Sequence, residues 1–308
     1  MDSKLLIPAL AAGLLSLTAC DVMDFGDMER FNRDFHSSYP MTANGRLSVE
    51  TFNGTVEISA WDQNTIDISG TKYGRTQQIA DDLKVNIDNS PDSVSIRVTR
   101  PSERRGNQGA RFMIKIPRGA VLDRITTSNG AIRTSRGSGP ARLRTSNGAI
   151  HVTGLEGTVD AQTSNGSIDL IEVNGDAIAH TSNGRITADR LKGSLDANSS
   201  NGAIRADIER ADRPIRVETS NSPVELTLPD GFNREIRVNT NNGGISIHFP
   251  PVFNAHILAR TNNSSITSDF DVRMQGEISK NRMDATIGAG GPLIDLSTSN
   301  GSIRLLKQ

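Results

Sequence analysis

The sequence predicts an all-β chain wound as a parallel β-solenoid with coils of about 18–21 residues. Three observations lead there. Gly130, Gly139, Gly148, Gly157, Gly166, Gly175, Gly184, Gly193 and Gly202 recur at a strict nine-residue spacing. Two residues after each stands an apolar residue (Ile132, Ala141, Ile150, Val159, Ile168, Ala177, Ile186, Leu195, Ile204), and four after stands a second, mostly apolar one, with Thr134 the first of that series. Each unit is therefore a short strand of period two closed by a tight turn. The turns alternate in kind, which doubles the true period to 18. One set reads Thr-Ser-Asn-Gly at 127–130, 145–148, 163–166 and 181–184, with Ser199-Ser200-Asn201-Gly202 as a variant; the other places Leu155, Val173 or Leu191 two before its glycine.

Parallel strands need a crossover, and a single coil cannot bury its apolar face alone, so coils of two strands stacked on identical neighbours follow from the pattern. Composition agrees with a thin core: 35% of residues are hydrophobic, 4% aromatic, and 28 are glycine. The isoleucines at 132, 150, 168, 186 and 204 are expected to stack as a ladder on one sheet, opposite smaller residues on the other.

Taken from the amino end, residues 1–19 read as a signal peptide, with Lys4, an apolar stretch from Leu5 to Leu17 and small residues before Cys20. Leu17-Thr18-Ala19-Cys20 resembles the lipobox of bacterial lipoproteins, in which the cysteine is acylated, so Cys20 is the expected lipid anchor and the membrane an expected partner. Residues 20–40 are assigned as the lipidated Cys and an acidic tether, the competing reading being that Phe25, Phe31 and Phe35 pack back on the first strands. Residues 41–308 are taken as one solenoid: 41–126 an irregular start and cap with a helical turn near 76–82, 127–210 regular coils, and 211–308 longer ones.

Past 210 the turn series continues through Asn221, Asn242, Asn263 and Asn300, with a 37-residue gap between Thr261 and Thr298 that is expected to hide one coil. Read in chain order, Asn300 ends the ladder formed by Asn129, Asn147, Asn165, Asn183, Asn201, Asn221, Asn242 and Asn263. The strand around Ser302–Leu306 is then an exposed edge, open to self-association. Asn and Gly are expected in these turns because both tolerate φ > 0, and stacked amides can bond from coil to coil.

The opening Asn53-Gly-Thr-Val-Glu-Ile-Ser-Ala-Trp61, the strand Phe112-Met-Ile-Lys-Ile-Pro117 and the iterated Thr-Ser-Asn-Gly-x-Ile turns resemble the candidate-adhesin family of bacterial envelope proteins. That family is a domain of unknown function built as a β-solenoid. The resemblance implies a right-handed solenoid, surface or envelope attachment and frequent membrane tethering; it implies no catalytic residues.

The chemistry legible in the residues is sparse. Lys+Arg 34 against Asp+Glu 35 gives a net charge of −1 and no electrostatic case for nucleic acid. A single Cys excludes an internal disulfide or a cysteine zinc cage, and no cofactor motif is present. His151 and His180 occupy outward positions and are expected to be solvated. Asp189 and Asp207, each five residues after its glycine, are the weak candidates for a cation or acid–base pair, with an exposed, arginine-screened pair as the competing reading. No aromatic occurs between Met113 and Gly231 to build a sugar platform. The expected function is non-enzymatic binding or adhesion to an envelope or surface macromolecule by a lipid-anchored exported protein. The alternatives are a polysaccharide-active enzyme with its site in 65–111 or 228–290, and a periplasmic stress sensor or scaffold.

Overall fold

The computed structural model describes residues 31–99, 107–275 and 279–308; the signal segment 1–19, Cys20 and residues 21–30 lie outside the described residues. Two mostly parallel sheets, of 13 and 14 strands, face each other across one thin core. In the regular coils, Ile132–Ser135, Ile150–Thr153, Ile168–Ile171, Ile186–Lys192 and Ile204–Arg210 are neighbours in the 13-stranded sheet. Their leading isoleucines pair in register, 132 to 150 to 168 to 186 to 204, and none is more than 1% exposed. Ala141–Arg144, Val159–Gln162, Ala177–Thr181 and Leu195–Ser199 form the facing layer. Leu155, Val173 and Leu191 fill the corners between the sheets.

The turn glycines are required for a different reason from the one the sequence suggested. From residue 127 onward no Asn or Gly of a Thr-Ser-Asn-Gly turn has positive φ. A Cβ on Gly148 would instead lie 1.8 Å from the carbonyl oxygen of Gly130, and one on Gly184 would lie 1.7 Å from that of Gly166. Backbones stack so closely at this corner that a methyl group cannot enter. Left-handed backbone occurs elsewhere, at Arg136, Gly154, Glu172 and Arg190 (φ 62°, 64°, 55° and 54°), one coil apart: the first three just after strands of the 13-stranded sheet, Arg190 at the register shift inside Ile186–Lys192.

Both ends of the array depart from chain order. At the start, Arg46–Glu50 lies between Ser93–Thr99 and Val121–Thr126, and Val56–Trp61 between Gly109–Pro117 and Ile132–Ser135. The first coil in sequence is thus second in space. Thr65–Gly74 and Lys84–Ser90 then close the end as antiparallel strands, joined by the short helix Gln77–Asp82, which Thr76 caps through its hydroxyl. Residues 31–40 are not a tether: Phe31–Pro40 is a ten-residue strand antiparallel to Thr65–Gly74, and Phe35 packs edge-on to Phe112 with ring centroids 6.0 Å apart. The alternation of Phe35, Ser37 and Tyr39 toward the core makes this segment a strand.

At the other end, Leu293–Ser297 lies between Ile236–Asn239 and Ala255–Arg260, and Ile303–Lys307 between Ile245–Phe249 and Ile266–Ser268. The strand expected to be an open edge is paired on both sides. The described residues of the 37-residue gap form no further coil but an antiparallel cap, Val272–Met274 on Arg282–Ile287 on Ala255–Arg260. Phe249, Phe253 and Phe270 fill the wider core here, with centroids 4.5 and 5.9 Å apart.

Among the described residues, one buried side-chain polar atom has no partner: Oγ1 of Thr134, between Ile58 and Val152 in register. An isosteric change that removes the hydroxyl removes its desolvation cost. Thr134→Val is expected to stabilise the protein by about 1–2 kcal/mol, read as a higher urea midpoint at unchanged slope.

Candidate functional site

The Thr-Ser-Asn-Gly corner is a continuous hydrogen-bonded column. Each Asn donates from Nδ2 to Oδ1 of the Asn one coil earlier in space, at 2.6–2.7 Å: 129 to 53, 147 to 129, 165 to 147, 183 to 165, 201 to 183, 221 to 201, 242 to 221, 300 to 242 and 263 to 300. Asn300 therefore sits inside the ladder and Asn263 ends it, the reverse of their chain order. Asn53, not counted with the ladder from sequence, is its first rung and is held in turn by the carbonyl of Gln108. Behind the amides the threonines are buried. The Thr145 hydroxyl accepts from the Gly148 N–H and donates to the Gly130 carbonyl, and Thr163 and Thr181 repeat this. The Asn amides and Thr hydroxyls of the turn thus bond the neighbouring coil.

Asp189 and Asp207 lie on neighbouring strands of the 13-stranded sheet, each one residue past the register pair Ala188 and Ala206. Burial pushes the Asp207 carboxyl above its ordinary range and the charge of Asp189 pushes it further, while Arg190 and Arg205 pull it back. The ladder register shifts between Ala188 and Leu191, and Arg190 turns to pair with Glu172 at 2.8 Å. Among the described residues no group of three or more His, Cys, Asp or Glu is arranged to hold a metal ion. His151 and His180 do face outward, but each meets an acid of the next coil: Asp169 at 3.0 Å and Asp196 at 3.7 Å.

The more distinctive surface lies at the amino-terminal end of the same sheet face. Met113 projects there with 63% of its area exposed, flanked by open grooves of about 880 and 560 Å³. Charged side chains ring it: Asp34, Glu57, Arg111, Lys115 and Arg133. Lys115 lies over the Trp61 ring and Arg111 over that of Tyr73, at 5.4 and 5.3 Å. Between them, His36 reaches Ser69 Oγ through Nδ1 at 3.2 Å and Asp67 through Nε2 at 3.4 Å. The connectivity is that of a Ser-His-Asp triad. The chemistry is not, because Ser69 stands mid-strand with sheet partners on both sides, so no pair of free amides is aimed to stabilise an oxyanion, and His36 is 61% exposed to water.

The profile of the Toastrack DUF4097 family matches residues 44–256, which span the first coil, all the regular coils and most of the longer ones. The chain belongs to the Toastrack family. Two solved structures are similar. One is a candidate adhesin from Bacteroides fragilis NCTC 9343, 13% identical, covering 89% of this chain and 97% of its own, at a TM-score of 0.44. The other is a candidate cell adhesion protein from Clostridium sporogenes ATCC 15579, 11% identical, covering 90% and 100%, at a TM-score of 0.24. No curated protein matches.

The Toastrack match ends in the strand Ala255–Arg260, so the last two rungs, Asn300 and Asn263, lie beyond it, yet bond as the earlier ones do. Asn165→Ala removes two side-chain bonds and is expected to cost about 1–3 kcal/mol, at about 0.5–1.5 kcal/mol per bond. Asn300→Ala should cost as much as Asn165→Ala, and Asn263→Ala about half. Urea denaturation of the three variants checks the order, and a milder loss at 300 than at 263 would contradict the spatial ladder.

Proposed function

We propose that this Toastrack chain is a non-enzymatic binding protein of the bacterial envelope, held to a membrane by acyl chains on Cys20. It attaches to another macromolecule through the outer sheet face around Met113. The observation that carries the reading is the exposure of Met113 on a regular strand, with a charged rim around it. An apolar side chain surrounded by polar neighbours that exclude water is how binding hot spots are built. The anchor rests on the placement of Cys20 directly after an apolar signal core. The described residues of 65–111 and 228–290, the alternative seats for polysaccharide cleavage, contribute cap strands and packed corners.

Crosslinking and capture from intact cells tests both parts. Met113→Glu is expected to lower the captured partner about tenfold or more while leaving the protein on membranes. Cys20→Ser is expected to release the protein into the soluble fraction. Undiminished capture by Met113→Glu would move the binding surface elsewhere, and membrane retention of Cys20→Ser would remove the anchor.

A further inference from the structure

The coil 293–307 fills a slot between two coils that precede it in the chain. Ile236–Asn239 and Ile245–Phe249 form one wall; Ala255–Arg260 and Ile266–Ser268 form the other. Residues 250–254 join the walls covalently and bridge two coil spacings, about 10 Å, and Phe249 also meets Phe270 across the end of the slot. Pro250 and Pro251 stiffen that bridge, so it holds the walls two coil spacings apart.

The insert meets the walls through contacts that any copy of the same segment would make. Ile294, Leu296, Ile303 and Leu305 are fully buried. Thr298 donates to the Gly243 carbonyl and Thr261 to that of Gly301, both at 2.9 Å. Asn300 bonds Asn242 on one side and Asn263 on the other. Its covalent tie to the preceding strand is 288–292, Gly-Ala-Gly-Gly-Pro, where Gly288 and Gly290 are left-handed (φ 59° and 81°). Asn254 on the bridge pins this hinge by accepting from the Ala289 N–H at 2.7 Å.

We propose that the 293–308 coil is exchangeable, and that two copies of this chain trade it through the 288–292 hinge, each completing the other's slot. The native contacts are the same in both forms, so concentration and hinge conformation decide between them. The walls of an unfilled slot present four unpaired strand edges that draw in another strand, and the Asn242 and Asn263 rungs and the buried Ile and Leu positions match this coil's own turn and core residues.

Ser246 and Arg304 are register partners on adjacent strands and both point outward, so cysteines at these positions are placed to form a disulfide. All variants are made in the full chain with Cys20→Ser. In a single chain, Ser246→Cys with Arg304→Cys is expected to close an internal disulfide, which verifies that the insert occupies the slot. Equal amounts of the two single-cysteine chains, unfolded and refolded together at high concentration, are expected to yield a dimer linked 246 to 304. The same chains folded separately and then mixed are expected to give none. Gly290→Ala has room for its methyl group but disfavours the left-handed hinge, and should raise the refolded dimer fraction roughly five- to thirty-fold. Absence of the internal disulfide, refolded dimers without the 246–304 link, or no dimer at any concentration would each overturn the proposal.

Discussion

Gly166→Ala is expected to cost about 3 kcal/mol and to split one unfolding transition into two. The added Cβ would stand 1.8 Å from the carbonyl oxygen of Gly148 and 2.3 Å from its carbon, and these are backbone atoms with no rotamer to retreat into. The coil has little room to slide away, because the next coil stacks as closely: a Cβ on Gly184 would stand 1.7 Å from the Gly166 carbonyl oxygen. The stack must open at 148/166, which breaks the Asn165 and Thr163 bonds to the coil before. In an array held by nearest-neighbour contacts, such a fault uncouples the coils on either side. Gly231→Ala is the control: its φ of 70° is left-handed but nothing lies within 4 Å of a Cβ, so only the conformational cost of about 1 kcal/mol applies. Urea unfolding followed by circular dichroism distinguishes the two. Equal losses would return the turn glycines to the role the sequence suggested, conformational freedom rather than close approach.

That difference marks where sequence reasoning stopped. Nine-residue glycines and alternating apolar positions report short-range geometry, and the strands, the isoleucine ladder and the two corner types follow from them directly. Which coil stacks on which is a long-range choice that the rungs themselves do not encode. Asn300 bonds between Asn242 and Asn263 with the same geometry it would have after Asn263, so the chain order of identical turns carries no information on their spatial order. The antiparallel strands that close the ends decide it, and they lie in the segments without a period. The surface around Met113 was hidden for the same reason. His36 meets Ser69 only because Phe31–Pro40 folds back on Thr65–Gly74, a pairing no local motif announces. The left-handed series at 136, 154, 172 and 190 keeps the 18-residue period, but Arg, Gly, Glu and Arg share no chemistry by which a sequence would betray it.

Ile168→Ala is expected to cost about 2–5 kcal/mol, the range for a large-to-small change that leaves a cavity behind. Three features place it toward the upper end. Ile168 is fully buried between Ile150 and Ile186, so the lost methyl and methylene groups were contacts on both sides along the ladder. The flanking strands of the facing sheet offer only Val159, Ala161, Ala177 and Ala179 as buried apolar residues here, all too short to fill the space. The neighbouring strands cannot close in, since the ladder hydrogen bonds fix their spacing at about 4.8 Å. Ile168→Val leaves most of the volume filled and should cost about 0.5–1.5 kcal/mol. Ile178→Ala, on the outer face with 41% of its area exposed, should change stability by no more than about 0.5 kcal/mol. Urea midpoints for the three variants give the ordering. If Ile178→Ala proved as costly as Ile168→Ala, the apolar positions two and three after the glycine would have to exchange faces. A one-residue slip of that strand would turn its core residues to solvent.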